Sequence, residues 1–475
     1  MYQIITFLTT ILLTGATLLI FRKKSDGAFN VFLKIITLIF CAVGYFRFFL
    51  SDAFIYVMNG AWFENVYYET SDYLQTILRW GYFINYAVLP MAVFFDTRLF
   101  KNIASYVCLP FTILSVVFFN DFMEYFLSPK GHGFDLVEWF RYVYFIFELV
   151  LALSIPLLIQ IRKKHYFNVK DKKEWLYFLV AVPFIIMLMM PVYTIQSLFG
   201  FKAGIPNSYK GYHISWIAIL LAVVLIFYYS FRFRNYKDRY MLCVLLTIAL
   251  FFQYNSVYLM GLNVRRLPFQ LCNIAAYFYI IAIPFKLKKM FHFCFIANIV
   301  GALVAILMPD FSNGDFGFWN MYYLYEHTLV LLVPALCMGL RIFPRLKLKS
   351  LLYMWVGFTI YFTFVFIAGT IINGYSEYFG RVNYFYLFDL EMAYEYFPFL
   401  LFTKYIKIEF LNFEIYPIVI LIVYVAYLLF CLIYYVAIQY LYKLEDDHLN
   451  LRLSEIDLYE KLTGKKSRRP KHYID

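Results

Sequence analysis

The stretch YPIVILIVYVAYLLFCLIYYVAIQY (residues 416–440) runs for 25 residues without a charged side chain. A helix needs about 20 predominantly apolar residues to cross the hydrocarbon core of a bilayer. The stretch therefore predicts a transmembrane helix. The whole chain has the same character, because 63% of its 475 residues are hydrophobic and only 15% are charged, whereas soluble domains have about 25% charged residues.

Thirteen segments of similar length and character follow one another along the chain. They predict an all-α fold, a polytopic integral membrane helical bundle with about 13 transmembrane helices, and they exclude a soluble globular, disordered or coiled-coil protein. The segments are residues 3–21, 31–50, 80–95, 103–119, 142–161, 175–195, 214–231, 240–260, 267–285, 290–308, 322–340, 351–372 and 416–440.

Basic side chains gather on alternate connections between these segments. Connections after odd-numbered segments are basic, as in residues 22–24, and connections after even-numbered segments are mainly acidic, as at Asp52. Lys202 and the pair Arg265 and Arg266 are the main exceptions. The positive-inside rule then predicts an outside N-terminus and a cytoplasmic C-terminus in a cell membrane, which we take to be a bacterial plasma membrane.

Three regions are predicted. Residues 1–208 form an N-terminal transmembrane half of unknown role, residues 209–440 form a second transmembrane domain, and residues 441–475 form a basic cytoplasmic tail. Apolar residues recur among charges in the first part of the tail. This pattern indicates either an amphipathic helix at the inner membrane surface or a plain extension of the last helix.

The two halves share a pattern that suggests a degenerate internal duplication. Residues 79–121 and 266–310 each read as an arginine, an apolar helix, a basic turn, a second apolar helix and an aspartate. ELVLALSIP, from Glu148, and HTLVLLVP, from His327, extend the likeness. Chance is the alternative, because any two helical hairpins in one membrane share length and end charges.

The net charge and the spacing of the cysteines limit which partners and bound groups the sequence predicts. A formal net charge of +12 would suggest nucleic acid in a soluble protein, but here it follows the membrane-side pattern, so membrane phospholipids are the predicted partners and nucleic acid is not. The seven cysteines stand singly, without the spacing of metal ligands. Neither a disulfide framework, a metal site nor a cofactor is predicted, and the oligomeric state stays open.

Two reactive side chains in the second half are placed at one depth by the segment boundaries. Cys272 and His327 each lie five residues inside the outer end of a segment, roughly 8 Å below the boundary. A histidine can take the proton of a thiol, and the thiolate can then carry an acyl group as a thioester. Glu326 points to another helix face and is not a predicted partner. A small core cysteine and a histidine hydrogen-bonded between helices are the alternatives.

Three further ionisable residues lie near this depth. Asp310 is a candidate to orient His327, and Arg265 and Arg266 are candidates to bind a lipid phosphate. All three are alternatively helix-end caps and anchors. In the first half, Asn85 and Glu148 stand where the second half has a nucleophile and a base, so the first half is predicted to be a structural copy.

The connection at residues 373–415 is far longer than an ordinary connection. Its mixture of polar and aromatic residues suggests a lid or re-entrant segment over an outer cavity. An interfacial aromatic belt is the alternative interpretation.

Four stretches, in this order, resemble the YwaF-like bacterial membrane proteins and the related transmembrane protein 164 family over residues 209–440. They are LPFQLCNIAA (267–276), GALVAILMPD (301–310), the histidine of YEHTLVLL (325–332) and the Asn383-Tyr384 pair of VNYFYL. The resemblance implies a phospholipid acyltransferase with an acylated cysteine and a histidine, falling on Cys272 and His327. Asn383 is then an oxyanion donor or a structural tie, and Tyr384 a substrate contact.

Three functions follow as hypotheses. The first is a membrane lipid acyltransferase or acyl hydrolase with a Cys272/His327 dyad near the outer leaflet. The second is a multi-span transporter or flippase without covalent chemistry, for which the duplication is the support. The third is a structural membrane protein without enzymatic activity. The acyl donor and acceptor are not predicted.

Overall fold

The fold is a bundle of long helices with one small hairpin of strands. The structure, a computed structural model, describes residues 1–47, 73–126, 138–163, 167–168, 170–190, 211–256, 267–307, 318–376, 381–388, 390, 394, 398–410 and 413–466. The predicted all-α membrane architecture is confirmed.

The first half contains eight of the described helices. They are α1 (Tyr2–Phe21), α2 (Asp26–Arg47), α3 (Tyr73–Pro90, continued by a π-helical turn, Met91–Phe95), α4 (Arg98–Ile103, continued by a π-helical turn, Ala104–Cys108), α5 (Leu109–Val117), α6 (Phe119–Phe126), α7 (Glu138–Arg162) and α8 (Lys172–Met189).

The second half contains seven more. They are α9 (Gly211–Phe231), α10 (Tyr236–Asn255), α11 (Leu271–Ala282), α12 (Lys288–Leu307), α13 (Phe318–Gly339), α14 (Leu348–Gly374) and α15 (Pro417–Thr463). Between α14 and α15 lie two 3-10 turns (Tyr384–Tyr386 and Pro398–Tyr405) and an antiparallel hairpin of β1 (Ile408–Phe410) and β2 (Phe413–Ile415).

Ten helices of the described residues are long and apolar enough to cross a membrane. The chain is thus a multi-pass membrane protein. The three other predicted segments correspond to α8, α10 and the short apolar helix α11. The exact number of 13 crossings and the orientation of the chain stay predictions.

The two halves pack their helices in the same order. α1 and α2 lie against α7, as α9 and α10 lie against α13. α3 contacts α2 and α5, as α11 contacts α10 and α12. The turn after α3 and the turn after α11 both pass through a left-handed residue, Asp96 (φ 50°) and Lys286 (φ 54°). This repeated order is what an internal duplication predicts.

The two central helices, α7 and α13, also share a sequence register. FELVLALSIP (147–156) and YEHTLVLLVP (325–334) each place a buried glutamate eight residues before a proline that lies inside the helix. When the two stretches are aligned on their prolines without a gap, Glu148 pairs with Glu326. The sequence had suggested His327, one residue further along, as the counterpart of Glu148.

The halves meet along α3, α8 and α10, where aromatic rings interlock. Tyr86 of α3 stacks on Phe252 of α10 with ring centroids 5.0 Å apart, and Tyr45 of α2 lies 4.4 Å from Phe251. Aromatic pairs at such distances add about 0.5–1.5 kcal/mol beyond their burial. The junction is therefore packed as closely as a core.

The last helix, α15, runs without a break from Pro417 to Thr463. The first part of the tail, up to Thr463, therefore continues the last apolar helix, and its predicted place at the inner membrane surface stays a prediction. Arg345 binds this extension by ion pairs to Glu445 (2.8 Å) and Asp446 (2.7 Å) and stacks over Tyr442. Gln439 donates to the Leu346 carbonyl at 3.1 Å.

Candidate functional site

The site is built around the first turn of α11. The turn formed by residues 267–270 precedes this helix, and Pro268 fixes one backbone angle there. The Pro268 carbonyl accepts a hydrogen bond from the Tyr361 hydroxyl at 3.1 Å, and the Leu271 carbonyl accepts one from Asn298 Nδ2 at 2.6 Å. Bonds from α12 and α14 therefore hold the beginning of α11 in place.

Cys272 is the second residue of α11 and is half-buried. Its Sγ lies 3.2 Å from Asn273 Oδ1, to which the thiol donates. The first turn of a helix has backbone N–H groups without intrahelical partners, and their positive end favours a thiolate.

Glu326 lies within electrostatic range of this thiol. Its side chain is only 3% exposed, and its Oε1 makes no hydrogen bond to the described residues. Tyr322, one turn earlier on the same face of α13, donates to the Tyr254 carbonyl of α10 at 3.0 Å. This face of α13 therefore points towards α10 and α11, and sequence reasoning had set Glu326 aside.

His327 lies on the next face of α13. Its Nδ1 is 2.7 Å from the Tyr323 carbonyl, and its ring lies 4.2 Å from the Tyr323 ring. Because a carbonyl can only accept, Nδ1 carries the proton and Nε2 of the neutral ring is an acceptor. The Tyr323 hydroxyl donates to Ala305 of α12 at 2.8 Å, which directs this face towards α12.

Cys272 and His327 lie at similar distances from the basic ends of their helices. At 1.5 Å per residue, Cys272 is roughly 15 Å from Ala282, and His327 is roughly 18 Å from Gly339. No hydrogen bond joins the two side chains. The described helices begin at Leu271 and Phe318, so Cys272 is the second and His327 the tenth residue of its helix, and neither lies five positions inside as predicted.

The segment after α14 folds back onto the beginning of α11. Gln270 Nε2 donates to the Asn383 carbonyl at 3.2 Å, and its Oε1 accepts from the Phe385 backbone at 3.1 Å. The Asn373 side chain pairs with both backbone groups of Val382, at 3.0 and 2.8 Å. This part of the long connection therefore covers the helix end that carries Cys272.

The predicted site residues of that connection have local contacts. Asn383 Oδ1 accepts from the Phe388 backbone at 3.0 Å, which favours a structural tie. Tyr384 is 1% exposed, and its ring lies 5.3 Å from Phe269. The remaining predicted site residues, Arg265, Arg266 and Asp310, lie outside the described residues.

The described part of the chain contains no group of three or more histidine, cysteine, aspartate or glutamate side chains able to hold a metal ion. Cys294 and Cys337 are completely buried. Cys272 is therefore better placed than either of them to meet a substrate.

The first half has a polar cluster at the corresponding place. Tyr86 of α3 donates to Glu148 of α7, and Asn85 Nδ2 donates to Thr112 Oγ1 at 2.8 Å. A cavity of about 10 Å³, close to the room that one water needs, is lined by residues that include Asn85, Tyr86, Glu148 and Ser115. The Tyr86 ring fits only because residue 44 is glycine, where a Cβ would lie 2.0 Å from the ring.

Comparison with known proteins gives a family match in the second half. Residues 208–435 match the model of the TMEM164 family, just under half of the chain. The predicted resemblance of the second half is thereby confirmed. No curated protein and no solved structure matches the chain.

Proposed function

We propose that this membrane protein, whose second half matches the TMEM164 family, moves the acyl chains of phospholipids through a thioester on Cys272. The observation that carries the proposal is the position of Cys272 in the first turn of α11, half-buried and within electrostatic range of Glu326, whose Oε1 has no hydrogen-bond partner among the described residues. The predicted likeness to a cysteine-dependent acyltransferase supports the same residue.

The proposed reaction has two steps. The Cys272 sulfur attacks the ester carbonyl of a phospholipid, the carbon–oxygen bond breaks, and the thiol proton passes through a base to the departing hydroxyl of the lysolipid. A hydroxyl of a second lipid, or water, then attacks the thioester and restores the thiol. Backbone N–H groups in the first turn of α11 are candidates to stabilise the charged oxygen.

Two side chains compete for the role of the base. His327 Nε2 is the acceptor of the ring when Nδ1 carries the proton, and it makes no hydrogen bond to the described residues. Glu326 already lies within electrostatic range of the thiol and has an oxygen without a hydrogen bond to the described residues. We therefore propose that one of these two residues is the base.

The test uses the full chain in phospholipid vesicles with an alkyne-tagged acyl chain. Wild-type protein should gain a hydroxylamine-sensitive label, Cys272→Ser should lose it, and the buried-cysteine control Cys294→Ser should keep it. Labelling that survives in Cys272→Ser at normal protein level would overturn the proposal. His327→Gln and Glu326→Gln then identify the base, since its loss should slow labelling by about 100-fold or more and change the pH profile.

A transporter is the second candidate, and the repeated packing order of the halves favours it. Transport would survive the Cys272→Ser change, because no covalent step is involved. Acyl transfer would not. The same variant therefore separates the two functions in one vesicle preparation.

A further inference from the structure

A long apolar groove opens on the lipid-facing side of the second half. It has a volume of about 620 Å³ and is lined by parts of α11, α12 and α14, including Phe278, Phe293, Val356, Ile360 and Phe364. This volume is in the range of ligand sites, about 300–1,000 Å³. Val356 and Ile360 are 49% and 67% exposed, so the groove is open towards the membrane.

One end of the groove lies beside the Cys272 site. Tyr361 lines the groove, donates to the Pro268 carbonyl just before α11, and is within electrostatic range of Cys272. Phe278, six residues after Cys272 on α11, packs on Tyr361 with ring centroids 6.1 Å apart. Tyr361 is thus the wall shared by the groove and the site.

The other end is marked by a single charge. Among the residues that line the groove, Lys289 is the only one with a charge, and its ammonium group lies 5.4 Å from the centre of the Tyr353 ring. Lys289 lies in the first turn of α12, next to the basic connection after α11, which the positive-inside rule places at a membrane surface. The groove therefore extends from the Cys272 level to one surface of the bilayer.

The length of the groove agrees with a hydrocarbon chain. Leu352 and Phe364 mark its extent along α14, and the helix rises roughly 18 Å between them. One leaflet contributes about half of the 30 Å hydrocarbon core, or about 15 Å. Shape, length and apolar lining all match one acyl chain, and lipid is the medium that reaches this face.

We infer that this groove binds one acyl chain of a membrane phospholipid, with its ester end at Cys272 and its hydrocarbon chain along the groove. The inference rests on the proposed function for the placement of the ester. It adds a chain-binding site that limits which lipids reach the thiol. A glycine helps to form this site, since a Cβ at Gly357 would lie 2.8 Å from the Phe293 ring.

The groove can be tested by photocrosslinking in phosphatidylcholine vesicles. The probe is a phosphatidylcholine with a diazirine near the methyl end of one acyl chain, and crosslinked peptides are mapped on the full chain. Crosslinks should concentrate on the peptides with Met290 and Val356. Val356→Trp should reduce them by about tenfold, the effect of about 1.4 kcal/mol of lost contact. Ile367→Trp, equally exposed on α14 but outside the groove, should not.

The outcomes separate the groove from the chemistry. Crosslinks spread evenly over the exposed helices, or unaffected by Val356→Trp, would overturn the groove. Crosslinks that concentrate in the groove of a protein that forms no Cys272 thioester would support the groove and overturn the proposed reaction. Cys272→Ser should keep the crosslinks in the groove, since binding of the chain does not need the thiol.

Discussion

Glu148 and Glu326 occupy the same position in two similar helices. Each is almost fully buried, and each lies eight residues before a proline within its helix. Their surroundings differ, because Glu148 accepts a hydrogen bond from the Tyr86 hydroxyl, whereas Glu326 lies near a thiol. Buried carboxyl groups are costly in a membrane, so both positions need an explanation.

The first prediction concerns the first-half glutamate. Glu148→Gln keeps the size of the side chain but weakens the bond from Tyr86, so we expect a loss of about 1–3 kcal/mol in stability and little change in labelling of Cys272. Tyr86→Phe, measured by the same thermal unfolding assay, should have a similar effect. Loss of labelling at a normal protein level would place function in the first half.

The second prediction is geometric. An experimental structure should superpose α9 to α13 on α1 to α7 by a rotation about an axis near the membrane normal, because the packing order of the halves corresponds. In this superposition Glu148 should fall on Glu326. An unrelated arrangement of the first-half helices would refute the duplication.

A third prediction concerns the segment that covers α11. Gln270→Ala removes both side-chain bonds to this segment, so we expect backbone amides of residues 381–388 to exchange with solvent deuterium about tenfold faster. Gln439→Ala is the control, since Gln439 makes a comparable long-range bond to the Leu346 carbonyl. Equal exchange in the two variants would show that Gln270 does not hold the segment.

The fourth prediction concerns pH. Partial burial would raise the pKa of Asp96, but the hydrogen bond and charge of Lys163, at 3.0 Å, and the charge of Lys101 outweigh it and lower the pKa. A lowered folded-state pKa gives stability that is present above the unfolded value, about 3.9, and is lost as the pH falls.

The check compares wild type with Asp96→Asn. The difference in unfolding temperature should be present at pH 7, begin to decline near pH 4, about the pKa of the unfolded carboxyl, and be lost as the pH falls through the lower pKa of the folded state. These groups are partly exposed, so the stabilisation should be no more than about 1 kcal/mol and should weaken in salt. A difference that grows as the pH falls would contradict the assignment.

The fifth prediction is the topology. Tags at the C-terminus and within residues 162–173 should be protected from an impermeant reagent in intact cells, and a tag near residue 313 should react. The reason is the excess of basic residues at the C-terminus and within residues 162–173. If only the first two tags reacted, the orientation of the chain would be the opposite of the predicted one.

The sequence by itself determined the membrane architecture. Long apolar segments have no other stable environment than lipid or a core, and helices satisfy their own backbone hydrogen bonds, so every predicted segment corresponds to a helix. It also singled out Cys272 and His327, because reactive groups within apolar segments are exceptional. Its segment boundaries were less exact, as the beginning of α11 at Leu271 shows.

Only the tertiary structure decided which groups meet at Cys272. The rotation of α13 turns Glu326 towards α10 and α11 and His327 towards α12, and Tyr361 comes from a helix almost 90 residues away. The hydrophobic pattern of a sequence identifies a helix but not the helices that pack around it. It therefore does not tell which of two adjacent residues faces a given neighbouring helix. Side-chain packing between helices fixes these neighbours, and it also creates the groove beside the site.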